Sequence, residues 1–254
     1  NGVSRLHGEV SQKMFVELNP DYSYAESNIG YVTNSVHLPT WVATEWLDLY
    51  KKELGKNILD DQTNLKLWAK IQQVPAAQIM EVRKTLKKRL FAWVRHSLQE
   101  DLTRRGENPR NTFEIINSLR EDALVIGFAR RFATYKRPDL LTWDMESFDA
   151  LVKNKNQPIQ IIWAGKPYPK DQGAVDTFNR LVHLSHLYPN VAVLTGHELA
   201  LSKLLKNGSD LWLNTPIVTR EASGTSGMTA AMNASINVST FDGWVCEFAK
   251  HGHN

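Results

Sequence analysis

One cysteine, Cys246, stands in 254 residues. No intrachain disulfide can form, and a single thiol suits a reducing compartment, so the expected location is the cytoplasm. No apolar run approaches the roughly 20 residues that cross a bilayer, and no secretory signal opens the chain. No membrane partner is therefore expected. The net charge is only +3, whereas nucleic-acid binders carry a strong, clustered basic surface; no nucleic-acid partner is expected either. Neither a Walker A pattern nor a GxGxxG fingerprint is present, which argues against an ordinary ATP or dinucleotide loop. No His or Cys cluster has zinc spacing, so no metal is expected. The first residue is Asn rather than Met, and NGVSRLHGEV reads as a helix in mid-course. The sequence is expected to be a fragment of a longer protein.

An apolar fraction of 42% is enough for one large domain or two smaller ones, each with a core. Val3, Leu6, Val10, Met14 and Phe15 make a helical stripe over residues 1–16, and LNPDYSYAESN after it is loop-like. Pro39 and Thr40 read as the start of a helix carrying Trp46 and Leu49. The clearest helix spans 77–105, with Ile79, Val82, Leu86, Leu90, Trp93, Leu98 and Leu102 on one face and TRRGENPRN as its stop. Then the pattern changes. Apolar runs at 123–128, 159–165, 190–196, 210–214 and 235–241 alternate with helical segments at 139–154, 171–187, 197–206 and 225–233. Such runs imply strands buried on both faces, and intervening helices imply a parallel sheet: an α/β, doubly wound, Rossmann-like arrangement. Ligands of that arrangement sit beyond the carboxyl ends of the strands.

Conspicuous residues gather at those ends. Arg130, Arg131 and Lys136 follow the first strand and can clamp a phosphate; the competing reading is a solvated basic loop. Glu221, Ser223, Thr225 and Ser226 lie with Gly224 and Gly227 in EASGTSG, before a helix expected to start near Thr225. Free N–H groups there favour an anion, and Glu221 suits sugar hydroxyls. A plainly capped helix is the alternative. Tryptophans 41, 46, 93, 163, 212 and 244 tempt a sugar-stacking reading, but most lie in apolar patterns and are expected in the core. His183 and His186 share a helical face with no third ligand in view.

NGVSRLHGEV, GYVTNSVHLPTW, GFARRFATYKRPDLL, IIWAGK, DLWLNTP and EASGTSGM together resemble the α-glucan (glycogen and maltodextrin) phosphorylase family, over nearly the whole chain and closer to its shorter bacterial branch. The resemblance implies the GT-B fold, in which two Rossmann-like domains face a cleft. Residues 1–40 then correspond to the end of the N-terminal domain and the crossover. Residues 41–254 correspond to the C-terminal domain, with a mainly helical start to about 120, parallel α/β from about 121, and an incomplete end at 254. Position by position, the resemblance implies that Arg131, Lys136 and Thr225 hold the substrate phosphate as catalytic residues. It implies that Asn34, Tyr135, Glu221, Ala222, Ser223 and Gly224 bind the glucosyl unit.

The implied function is an α-1,4-glucan glucosyltransferase acting on glycogen or maltodextrin ends with phosphate or glucose 1-phosphate. The implied cofactor is pyridoxal phosphate, and the family implies a homodimer through segments outside this chain. One departure bears on the chemistry. Where the family has the lysine that bonds the cofactor as a Schiff base, this sequence has Thr229, which cannot form an imine. Ala133 and Thr134 also replace a polar pair, and His197 stands near an expected aromatic cofactor contact. Two alternatives stay open: a nucleotide-sugar-dependent, glycogen synthase-like transferase without pyridoxal phosphate, and a non-catalytic glucan-binding module. The isolated 254 residues are expected to be inactive, because this chemistry needs both faces of the cleft.

Overall fold

The apolar runs form one five-stranded sheet in a computed structural model, which describes residues 1–18, 20–21, 23–195 and 199–250. Its strands are β1 (Leu124–Ala129), β2 (Ile159–Ala164), β3 (Val191–Leu194), β4 (Leu211–Asn214) and β5 (Ile236–Ser239). Every pairing is parallel and the order is β3-β2-β1-β4-β5. The expected doubly wound α/β sheet is therefore observed. The helices are α1 (Arg5–Met14), α2 (Leu38–Trp41), α3 (Thr44–Glu53), α4 (Leu65–Ala69), α5 (Ala76–Arg104), α6 (Pro109–Ser118), α7 (Met145–Val152), α8 (Gln172–Leu187), α9 (Leu199–Gly208), α10 (Thr225–Ala231) and α11 (Val245–Phe248). None among the described residues is long and apolar enough to cross a membrane.

Alternation along the strands sends side chains to two cores. Val125, Ala129, Ile162, Ala164, Ala192, Leu194 and Trp212 face Leu90, Phe91 and Val94 of α5, Leu201 and Leu205 of α9, and Ala230 of α10. Ile126, Phe128, Ile159, Ile161, Trp163, Val191 and Val193 face Phe148 and Val152 of α7 and Leu181 and Leu184 of α8. A third cluster joins α3 and the first turns of α5 around Trp46, Leu49, Leu54 and Ile58. The edge strand β5 departs from the expected two-sided burial. Its Ile236 and Val238 are exposed, as on an edge strand with one open face.

Four helical boundaries differ from the sequence reading. The first helix is not in mid-course at residue 1: α1 starts at Arg5, behind extended Ser4, whose side chain caps it, and ends at Met14. The helix expected from Pro39 is broken: α2 ends at Trp41, and Val42 and Ala43 are extended before α3. The break is stabilised from far along the chain. Asn233 accepts from the Ala43 N–H (2.8 Å) and donates to the Trp41 carbonyl (3.0 Å). TRRGENPRN does stop α5, but Asn108 then caps the unanticipated α6, with its side-chain Oδ1 accepting from the Arg110 N–H at 2.8 Å and Pro109 in the first turn. The segment 139–154 is helical only from Met145, after a short tight turn at 140–142.

At the amino edge of the sheet, Asp210 ties α5 to the strands. Its carboxylate pairs with Arg83 (2.8 Å) and Lys87 (2.6 Å) and accepts from the Val125 N–H (2.7 Å). Burial pushes this carboxyl up, but Lys87, the Val125 N–H and Arg83 outweigh it and hold the pKa below the ordinary value. A depressed folded pKa stabilises above the unfolded carboxylate pKa and loses that contribution as pH falls. Asp210→Ala is expected to lower stability by about 3–5 kcal/mol in urea unfolding at neutral pH, because the buried Arg83 charge loses its carboxylate and keeps only the Asn207, Ser209 and Asn233 carbonyls. The gap between variant and wild type should narrow as pH drops below 3.8, the ordinary aspartate value.

Candidate functional site

Strand order reverses at β1: β2 and β3 lie to one side of it, β4 and β5 to the other. The loops leaving β1 and β4 therefore part at their carboxyl ends and open a crevice. Arg130 and Asn214, the residues at those two ends, meet there, and the buried Arg130 guanidinium donates to the Asn214 side-chain oxygen. Arg130 also lies 2.7 Å from Glu221 Oε2, and Lys136 Nζ lies 3.1 Å from the same oxygen. One carboxylate oxygen thus serves two buried cations. Lys136 Nζ stands 5.0 Å from the centre of the Tyr135 ring, a cation–π distance. Close passage of β2 beside this turn requires glycine, since a Cβ on Gly165 would meet the Arg130 carbonyl at 2.2 Å.

The loops themselves are stitched together. Arg137, in the left-handed region at φ 42°, donates to the carbonyls of Thr215 (2.9 Å) and Pro216 (2.7 Å). Thr215 donates back to the Lys136 and Arg137 carbonyls. Asp242, buried just after β5, holds the Glu221 segment by accepting from the N–H groups of Arg220 (3.1 Å) and Glu221 (2.9 Å). Ser4, the cap of α1, donates to the Ala222 carbonyl at 2.7 Å.

The expected site residues are not all alike in this setting. Lys136, Glu221, Ser223 and Gly224 come together around the crevice, with Ser223 buried and its hydroxyl without a partner among the described residues. Tyr135 is half-buried and its carbonyl accepts from the Ile217 N–H (2.7 Å). Arg131 is exposed and makes no side-chain hydrogen bond among the described residues; Arg130, one residue earlier, takes the buried place. Thr225 starts α10 as expected after Gly224 at φ 84°. The helix has only seven residues, however, and the Gly227 N–H bonds back to the Gly224 carbonyl, so its end offers an anion little. Asn34 is exposed beside the α1 cap, its N–H on the Val3 carbonyl (2.9 Å). His197 lies outside the described residues.

Sequence reasoning missed three participants. Asn214 closes an apolar strand and Asp242 opens an Asp-Gly turn; those positions were the only signal. The third is Lys206 on α9, which reads as the solvated side of an amphipathic helix but is buried. Its Nζ lies 4.2 Å from the centre of the Trp41 ring. Burial, then the Arg130 charge, push its pKa down to about 8. Among the described residues no group of three His, Cys, Asp or Glu side chains could hold a metal.

A family model described as carbohydrate phosphorylase matches residues 1–252. The chain belongs to the carbohydrate phosphorylase family. It is 37% identical over 247 residues to a glycogen phosphorylase of Mycobacterium tuberculosis, covering 96% of this chain and 28% of that protein. It is 34% identical over 250 residues to the Aquifex aeolicus glycogen phosphorylase, covering 97% and 36%. It is 32% identical over 252 residues to the Thermococcus litoralis maltodextrin phosphorylase, covering 97% and 30%. The chain therefore spans about a third of the length of these phosphorylase relatives.

Position 229 does not fit covalent pyridoxal phosphate. Thr229 is buried and its hydroxyl donates to the Ser226 carbonyl at 2.9 Å, back within its own helix. The rest of the site does fit such a group. Arg130 suits its phosphate, and Lys206 is a buried primary amine that feels the Arg130 charge.

Two outcomes follow from this packing. Gly227→Ala would drive a Cβ to 2.7 Å from Asn237 Oδ1 and 3.0 Å from Trp244 Nε1; thermal unfolding should show a loss of about 1–3 kcal/mol. A lysine whose folded pKa lies below its unfolded value gives stability that rises with pH between the two. Wild-type stability relative to Lys206→Met should thus rise between about pH 8 and 10.5 and run level below that range, as urea midpoints would show.

Proposed function

We propose that this chain carries the phosphate- and glucosyl-binding face of an α-1,4-glucan phosphorylase, acting on glycogen or maltodextrin ends in the cytoplasm. The observation that carries the reading is the Arg130–Glu221–Lys136 cluster at the β1/β4 crevice. On this reading residues 1–40 end the first domain of a GT-B enzyme, residues 41–254 belong to the second, and the reaction occurs between the two.

The cluster explains both halves of the substrate. Lys136 and Arg131 draw in inorganic phosphate, and Thr225 donates a hydroxyl to it. Glu221 has a second oxygen, Oε1, with no hydrogen bond among the described residues, and it accepts from sugar hydroxyls beside Asn34, Tyr135 and the Ala222–Gly224 backbone. A phosphate oxygen bonds to C1 of the terminal glucosyl unit as the C1–O bond to the glucan breaks. The departing oxygen takes the proton that phosphate gives up. Positive charge builds on the sugar ring during this exchange, and a phosphate fixed beside it by Lys136 stabilises that charge. Pyridoxal phosphate, when bound, would supply a second phosphate group as a proton donor and acceptor, with Arg130 to hold its charge.

A second reading, a nucleotide-sugar-dependent transferase with a diphosphate on the same cations, is favoured by one observation: Thr229 at the cofactor position. Both are tested in the full-length protein with maltooligosaccharide, phosphate and pyridoxal phosphate. Glucose 1-phosphate formation is expected, and Lys136→Ala should lower kcat by about 10²–10³-fold. Glucosyl transfer from a nucleotide sugar, without glucose 1-phosphate, would move the assignment to the second reading. Glucan binding with neither activity would leave a binding module.

A further inference from the structure

Lys206 has no role in the reaction as described, yet burying a lysine is costly without a compensating anion. It is almost fully buried, and among the described residues it has no carboxylate partner; its neighbour is the face of Trp41 at 4.2 Å. Arg130 is close enough to add to its electrostatic penalty. Position 229, where the family's cofactor bond is missing, is tied to the tryptophan that lies under this amine. Asn233 Nδ2 donates to both the Trp41 carbonyl (3.0 Å) and the Thr229 carbonyl (2.8 Å), so the residue under the Lys206 amine and residue 229 meet at one nitrogen. Helix α9, which carries Lys206, packs directly on α10, which carries Thr229.

We propose that Lys206 is the amine that bonds pyridoxal phosphate in this protein, as an imine, in place of residue 229; the inference rests on the phosphorylase reading. The step is balanced without any further reactant. The neutral amine nitrogen forms a bond to the aldehyde carbon of the cofactor, a carbinolamine results, and its C–O bond breaks to release one water and leave the imine. Desolvation favours the step because it keeps a fraction of the amine neutral near physiological pH. Arg130, already at the crevice, provides charge for the cofactor phosphate on the same side as the substrate phosphate.

The test is to load the full-length protein with pyridoxal phosphate, reduce it with borohydride and map the adduct by peptide mass spectrometry. The expected result is a phosphopyridoxyl group on the Lys206 peptide at close to one per chain, absent from Lys206→Arg, which keeps the positive charge but cannot form the bond. Labelling only of exposed lysines, or no labelling, would overturn the proposal. Thr229→Lys separates that failure from failure of the phosphorylase reading. If wild type carries no adduct at Lys206 but the variant gains one at position 229 together with glucose 1-phosphate formation, the phosphorylase site is intact and Lys206 is not its amine. If neither protein takes the cofactor or makes glucose 1-phosphate, both readings fall.

Discussion

Two cations and one carboxylate oxygen meet where the strand order reverses, and much of the surrounding structure serves that meeting. Arg130 is carried there by β1, and Lys136 by the tight turn that follows. Neither would be stable in a buried position alone, because a desolvated charge without a partner is strongly unfavourable. Glu221 offsets both, and Glu221 is itself placed by the Asp242 carboxylate gripping its backbone N–H. The chain of dependence therefore runs from the edge strand β5, through the turn at Asp242, to the centre of the sheet. Asn214 at the end of β4 supplies the remaining acceptor for Arg130.

The same logic extends to the segment before the sheet. Ser4 caps α1 with its oxygen and donates its proton to the Ala222 carbonyl. The Arg5 N–H and the Thr33 hydroxyl both bond the carboxylate of Glu247 on α11. Those contacts span more than two hundred residues of sequence, and they set α1 against the loop that presents Glu221. Asn233 does similar work under Trp41, where it satisfies the open backbone between α2 and α3 and also the Thr229 carbonyl. Polar side chains whose hydrogen bonds are all made within the fold can be buried at low cost, and they fix geometry more sharply than apolar packing does.

Thr229 and Lys206 show how far packing alone sets the reactivity of a side chain. A threonine in a helix bonds its hydroxyl to the preceding turn, as Thr229 does, so it is chemically quiet. A lysine kept from water by helix packing and a tryptophan face is the opposite: its amine has a lowered proton affinity. The two lie on adjacent helices, and only the second has the chemistry to bond an aldehyde.

Sequence alone determined the parallel sheet, the helix between each pair of strands, and the end of the sheet where the candidate residues gather. Those follow from local periodicity, which each segment carries in itself: β1 to β4 are apolar apart from Gln160 and Asn214, and α5 shows its stripe along a helix of 29 residues. EASGTSG and YKR were legible as a family pattern for the same reason, being short and contiguous. Only the tertiary structure decided which arginine is buried, since Arg130 and Arg131 are chemically identical and differ only in which face of the strand end they leave from. It alone broke the helix after Trp41, because the stabilising amide comes from residue 233. It alone brought Lys206 out of solvent, since burial of a lysine depends on what packs over the helix, and nothing in LALSKLLKNG states that. Periodicity is a property of one element, whereas burial and charge pairing are properties of several at once.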